Sequence, residues 1–188
     1  MKRDITQKLV HEHRLILRML AILEWKAELT ACGADDDYRF YLTAVDFIRN
    51  YADRFHHAKE EDVLFEALVN NGMPRANSPV AAMLLDHDQG RAFVKALEAA
   101  ATEALAGQPG HDREIAANAL GYLNLLRDHI SREDGILYPL AERVIPEGVR
   151  DAIIAGYRQA EEQTTAGFEE RYRQLIEQYE ADMVKRAA

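Results

Sequence analysis

Residues 56–68 read HHAKEEDVLFEAL, and residues 128–140 read DHISREDGILYPL. Both stretches contain His-x-x-x-Glu-Asp, at His57 with Glu61 and at His129 with Glu133. Each runs on into a Leu-Phe or Leu-Tyr pair, the second after one extra residue, Gly135. On a helix, positions i and i+4 share a face, so each histidine and its glutamate can reach one point. An echo precedes each copy. Glu12-His13, with Glu24 eleven residues past the histidine, matches Asp86-His87 with Glu98 eleven past. The halves are offset by 74 residues from His13 to His87 and by 72 from His57 to His129. Each half offers a lone helix histidine followed by a helix carrying a His/Glu pair.

Working outward, glycine and proline cut the chain at Ala31–Asp36, Asn70–Pro79, Gly107–Gly110 and Ile145–Gly148. The stretches between are rich in Ala, Leu, Glu and Arg and lack strand-like alternation, so they read as helices over 4–30, 37–69, 79–106 and 111–144. Asn77 or Ser78 is placed to cap the third, with Pro79 in its first turn. Short connections between long helices make neighbours antiparallel, which gives an all-α, up-down-up-down four-helix bundle over residues 1–145. Residues 146–188 form an additional C-terminal helix, from about 147 to 184, with a polar gap near Gly167. It contains no histidine, and its apolar stripe suits packing on the bundle or on a second copy of the chain.

The net charge of −9 over 188 residues disfavours nucleic acid and anionic membranes as partners. Cys32 is the only cysteine, which excludes an intrachain disulfide and any thiolate cluster. The start, MKRDITQKLVHEH, lacks a signal-peptide apolar run and no segment approaches membrane-span length, so a cytoplasmic location is expected.

A lone histidine on an apolar face is usually an ordinary core residue, and a run such as Lys59-Glu60-Glu61-Asp62 is usually solvated surface. Four core-facing histidines in repeated order, two of them with a glutamate one turn on, point instead to a dinuclear metal site. His129 and Glu133 lie on a stripe with Tyr122, Leu126, Ile136 and Leu140. A buried carboxylate there needs a partner or a metal. His13 sits among Leu9, Ile16, Leu17 and Leu20, with His11 as its rival; His87 sits among Val80, Met83, Leu84 and Val94. On the second helix His56 and Glu60 compete with His57 and Glu61, and alignment of the repeat on His-x-x-x-Glu-Asp selects the latter pair. His111, after Pro-Gly, reads as a surface or capping residue. The expected ligands are His13, His57, Glu61, His87, His129 and Glu133. Imidazole and carboxylate without thiolate suit iron or manganese, and zinc less well. Histidine first at spacing i, i+4 differs from the Glu-x-x-His of ferritin-like bundles.

With these motifs (EH in the first helix, HHAKEEDVLF in the second, DHDQGR in the third, HISREDGILYP in the fourth) the chain resembles the hemerythrin-like, His-His-Glu cation-binding family over residues 5–145. The resemblance implies a four-helix bundle with a non-haem di-iron centre, two irons ahead of manganese or zinc. His13 and His57 would hold one iron and His87 and His129 the other, with Glu61 and Glu133 between them. The family's aspartate in the fourth motif falls on Asp134, whereas the internal repeat favours Glu133. Oxygen-storing members carry a further histidine one turn past the third-helix histidine, and here that position is Arg91. The departure implies a missing fifth histidine, open positions on both irons and a cation on the metal-facing side. Such a centre is expected to react with or sense oxygen, peroxide or nitric oxide, or else to sense or buffer iron without turnover.

Overall fold

The computed structural model describes residues 2–187. Helix α1 spans Gln7–Ala31. Helix α2 covers residues 38–70 and changes its winding on the way: α-helical over Tyr38–Phe47, π-helical over Ile48–His57 and Glu60–Phe65, α-helical again over Glu66–Asn70. Helix α3 is Pro79–Leu105, and α4 runs over residues 112–144 with a π-helical turn at Glu133–Leu137. Ser78 caps α3, its hydroxyl accepting from the Ala81 amide at 3.3 Å, and Pro79 follows in the first turn. Helix α1 packs on α4, α4 on α3 and α3 on α2, which closes the expected up-down-up-down bundle. The additional C-terminal helix is present in two pieces. Helix α5 is Glu147–Glu162 and α6 is Phe168–Ala187. The polar gap marks the break, where Gly167 takes a φ of +76° that a side chain would disfavour. No described helix is long and apolar enough to cross a membrane.

Both C-terminal helices bury their apolar faces on their own bundle. Ile153 and Tyr157 of α5 join a core with Leu9, Leu64, Phe65, Leu68 and Leu137. Gly156 lets α5 approach α2 closely, since a Cβ there would lie 3.0 Å from Val63. Helix α6 instead docks by aromatic contacts, Phe168 on Tyr51 and Phe55, and Tyr172 on Phe47 and Tyr51. These residues belong to a second, larger core built from Ile16 to Ala27, Phe40 to Phe55, Val94 to Ala104 and Ile115 to Ile130. Between the two apolar cores lies a layer of buried polar side chains: Glu12, His13, His56, His57, Lys59, Glu60, His87, His129 and Glu133. Burying so many polar groups without pairing would be ruinous for a chain with the usual small net stability. How they are paired is therefore the informative part of the structure.

Candidate metal centre

Two groups of ligand-type side chains occupy this layer, each with its donor atoms within 4.8 Å of one another. The first comprises His13, His56, Glu60 and Glu133, and the second His57, Glu60, His87 and His129, all buried. Glu60 belongs to both. Glu133 also faces both, with one oxygen 3.3 Å from His13 Nε2 and the other 3.2 Å from His129 Nε2. The Glu60 oxygens lie 3.7 Å from His56 Nε2 and 3.6 Å from His87 Nε2. His87 Nε2 and His129 Nε2 converge to 3.0 Å.

The structure brings His13, His57, His87, His129 and Glu133 into one buried layer but differs from the sequence reading in four respects, the first being that His57, expected beside His13, lies with His87 and His129. Glu60, whose side chain is wholly buried, takes the shared position expected for Glu61; the Glu61 side chain is 25% exposed and contacts the outward nitrogen of His87 at 2.7 Å. His56 does not compete with His57 but accompanies it, one in each group. The missing fifth histidine is therefore present, supplied by α2 rather than α3. The cause is the winding of α2. An α-helix separates neighbours by about 100°, so only one of two adjacent histidines faces the core squarely. A π-helix, bonded i to i+5, has a wider turn and a smaller step between neighbours. Over Ile48–His57 that lets His56 and His57 both point inward. The rival His11 is exposed, and His111 sits at the start of α4 beside Glu103 and Glu114. Glu24 and Glu98, which shared the sequence echo, form ion pairs with Arg127 and Arg49 instead.

The outward nitrogens complete the arrangement. Each of the five histidines places Nδ1 on a carboxylate: His13 on Asp134 at 2.9 Å, His56 on Glu12 at 2.9 Å, His57 on Asp53 at 3.4 Å, His87 on Glu61 at 2.7 Å and His129 on Asp86 at 3.2 Å. A carboxylate accepting from Nδ1–H fixes the tautomer that leaves the Nε2 lone pair facing inward, the usual support of a metal-bound imidazole. The acids are held in turn. Lys59, itself buried, donates to Glu12, and Arg132 donates to Asp86 at 2.7 Å. Helix α5 joins this shell through Glu161, 3.4 Å from Lys59.

Inside the ring the pattern reverses. His56 Nε2, one oxygen of Glu60 and both oxygens of Glu133 are buried without a hydrogen-bond partner. Outward atoms satisfied and inward atoms orphaned, around two clusters sharing carboxylates, is a donor set that bound metal cations would complete. Electrostatics agree. Burial and the adjacent Glu133 charge push Glu60 well above the usual carboxylate range, whereas His129 and His13 outweigh burial and hold Glu133 well below it. Burial and the charge of His87 lower His57 to about 3, and burial with the charges of His13 and His57 lowers His56. Burial alone would lower His13 too, but Asp134 and Glu133 raise it to about 9. Without cations the cluster is frustrated: burial pushes one carboxyl toward its protonated form and two histidines toward their neutral forms.

A third group, Asp53, His57 and Glu61, lies nearer the surface. Its cation is already present. Arg91 Nη2 is 2.7 Å from Asp53 and 2.7 Å from Glu61, and Nη1 is 3.1 Å from Asp88. Arg91 thus braces the outer acids of His57 and His87 instead of facing the inner carboxylates.

The hemerythrin HHE cation-binding domain family matches residues 4–141. Uncharacterized proteins of Mycobacterium bovis and of Mycobacterium tuberculosis are each 25% identical to the chain over 142 residues, 74% of this chain and 54% of theirs. The chain therefore spans about half the length of these curated relatives. No solved structure matches it.

Proposed function

The chain belongs to the hemerythrin HHE cation-binding family, and on that premise we propose that it holds two non-haem irons and reacts with or senses oxygen, peroxide or nitric oxide. His13 and His56 would hold one ion, His57, His87 and His129 the other, with Glu60 and Glu133 spanning both. The observation that supports this most is the orphaned inner set, His56 Nε2 and the Glu60 and Glu133 oxygens, enclosed by histidines whose outer nitrogens are all engaged. When bound, a pair of redox-active ions supplies electron transfer to a small oxidant, chemistry that no side chain here provides.

The residues would divide the remaining work unequally. The first group has two histidines and the second three, so the first is one donor short and is where an exogenous ligand would enter. Tyr138 stands on that side: its hydroxyl donates to Glu60, lies 3.4 Å from His13 Nε2, and its ring stacks on the His13 ring. Its single proton is committed to Glu60, so it fixes the shared carboxylate beside the open position. The apolar layers above and below exclude bulk water, which strengthens each charge interaction between them.

A second reading, an iron-responsive binding module without turnover, draws support from the chain Glu161–Lys59–Glu12–His56, which links α5 to the first group. Metal occupancy would then set how firmly α5 docks. Iron analysis and a visible spectrum of the protein loaded anaerobically, followed by stopped-flow mixing with peroxide, test both. Spectral turnover supports the redox reading. An unchanged spectrum with large iron-dependent stabilisation supports the second, and failure to bind iron removes both.

A further inference from the structure

A cavity of about 250 Å³ opens on the outer side of the second group, lined by His57, His87, Gly90, Val94, Tyr122 and Leu126 among others. It lies where α3 carries Gly90 and Arg91 in the turn after His87. Two features create it. Gly90 has no side chain, and a Cβ there would touch the Tyr122 ring at 3.4 Å. Arg91 turns outward to Asp53 and Glu61 and leaves the space beside His87 unfilled.

The chemistry of the walls is specific. Val94, Leu126 and the Tyr122 ring give it an apolar side opposite the His57 and His87 rings, and the Tyr122 hydroxyl is buried with no hydrogen-bond partner. The mouth carries three cations, Arg49, Arg91 and Lys95, on a chain whose net charge is −9. Arg49 is engaged by Glu98 and Arg91 by Asp53 and Glu61, which leaves exposed Lys95 to turn toward a ligand. The two acids in the lining are also engaged, Asp53 by Arg91 and His57, and Asp86 by Arg132 and His129. An apolar cavity of roughly 150 Å³ admits benzene, so this one has room for a ring and a small polar substituent.

We infer that this cavity is a binding site for a small organic anion, a monocarboxylate with a compact apolar body, seated against the His57–His87 face with its carboxylate toward Lys95. The apolar body displaces water from Val94, Leu126 and the Tyr122 ring, while the carboxylate stays at the mouth beside Lys95. His57 and His87 stack with ring centroids 3.7 Å apart, so an occupant would press on two histidines of the second group. The inference deepens the metal reading by giving that centre an organic ligand beside it, but it rests on the cavity and not on the identity of the ion.

Isothermal titration calorimetry of the full metal-loaded chain with benzoate tests it, with benzyl alcohol and benzylamine as neutral and cationic controls of the same shape. Benzoate should bind about tenfold more tightly than benzyl alcohol, with benzylamine weaker still. Lys95→Glu, a surface change that leaves the fold alone, should reverse the preference between benzoate and benzylamine. Val94→Phe, which fills the cavity, should abolish benzoate binding. Undetectable benzoate binding, equal binding of all three probes, or a preference unmoved by Lys95→Glu would overturn the proposal. Benzoate binding retained in a folded Val94→Phe protein would place the anion on the metal instead and overturn it equally. Metal analysis of the same samples separates this outcome from failure of the di-iron reading, because an empty centre leaves the cavity and its calorimetric signal in place.

Discussion

Replacing Glu60 with glutamine should lower metal binding and raise the stability of the metal-free fold at once. Glu60 is common to both groups, so its loss leaves His13, His56 and Glu133 on one side and His57, His87 and His129 with the facing Glu133 oxygen on the other. Changing an outer-shell partner of a metal ligand usually costs about 10–100-fold in affinity. Loss of a shared inner carboxylate should exceed the upper end of that range at both positions. In the metal-free protein the sign reverses. Burial and Glu133 raise Glu60, so as pH climbs toward its shifted value a second negative charge is forced beside the first. An amide of the same shape still accepts from Tyr138 and can donate to the orphaned Glu133 oxygens. Relief of that mismatch is worth about 1–3 kcal/mol, and in a chain of this size each kcal/mol moves the melting point by about 2–4 °C. Metal content after dialysis against a chelator, and melting scans of the stripped proteins, read the two effects separately. Glu61→Gln is the control: it should keep both ions, weaken only the second position, and leave the metal-free melting point near that of the parent. If Glu60→Gln retains two ions while Glu61→Gln empties the site, the register assigned to α2 is off by one.

Stripping the metals from the parent protein should cost a few kcal/mol, the scale of ligand linkage at saturating concentration; equal melting points for stripped and loaded protein would show that the bundle does not depend on the centre. Loading should release protons at neutral pH, because His13, raised to about 9, carries one when empty. Metal affinity should therefore fall as pH is lowered, and an indicator dye in weak buffer that reports no proton release on loading would contradict this. The metal-free fold should lose stability as pH falls from the ordinary histidine value of 6.5 toward 3, since His57, depressed to about 3, is held neutral only in the native state. His57→Gln should flatten that acid limb, and an unchanged limb in urea titrations would place the acid sensitivity elsewhere. Lys59→Met should leave Glu12, already raised to about 7 by burial, without its cation and loosen His56; metal loss should then fall on the first position, as shown by a drop from two ions toward one.

Much of this was legible because the duplication repeats chemistry as well as sequence. His13 and His87 were found from matched Glu-His and Asp-His pairs, and those same acids prove to be the outer partners of His56 and His129. Glu60 was missed although a signal for it existed. Pairing His56 with His129 aligns Glu60 with Glu133, Glu61 with Asp134, Leu64 with Leu137 and Phe65 with Tyr138 without any gap. The structure obeys that alignment closely: Glu61 supports His87 as Asp134 supports His13, and Lys59 braces Glu12 as Arg132 braces Asp86. Pairing on His57 required the extra residue at Gly135, and that insertion was the warning. His57 itself breaks the symmetry, since its counterpart is Ile130. Its inward position depends on π-winding, which the 3.6-residue periodicity used to read helices cannot register. The break at Gly167 was visible as a polar gap, but the docking of α6 through Phe168 and Tyr172 depends on long-range packing that no local pattern carries.

On the proposed reading, two ions would share Glu60 and Glu133 between a two-histidine and a three-histidine group. A crystal structure of iron-loaded protein with anomalous data at the iron edge tests it directly. Two peaks are expected, one by His13 and His56 and one among His57, His87 and His129, with Glu60 and Glu133 between them. A single peak, or a peak in the outer group of Asp53, His57 and Glu61 with Arg91 displaced, would contradict it.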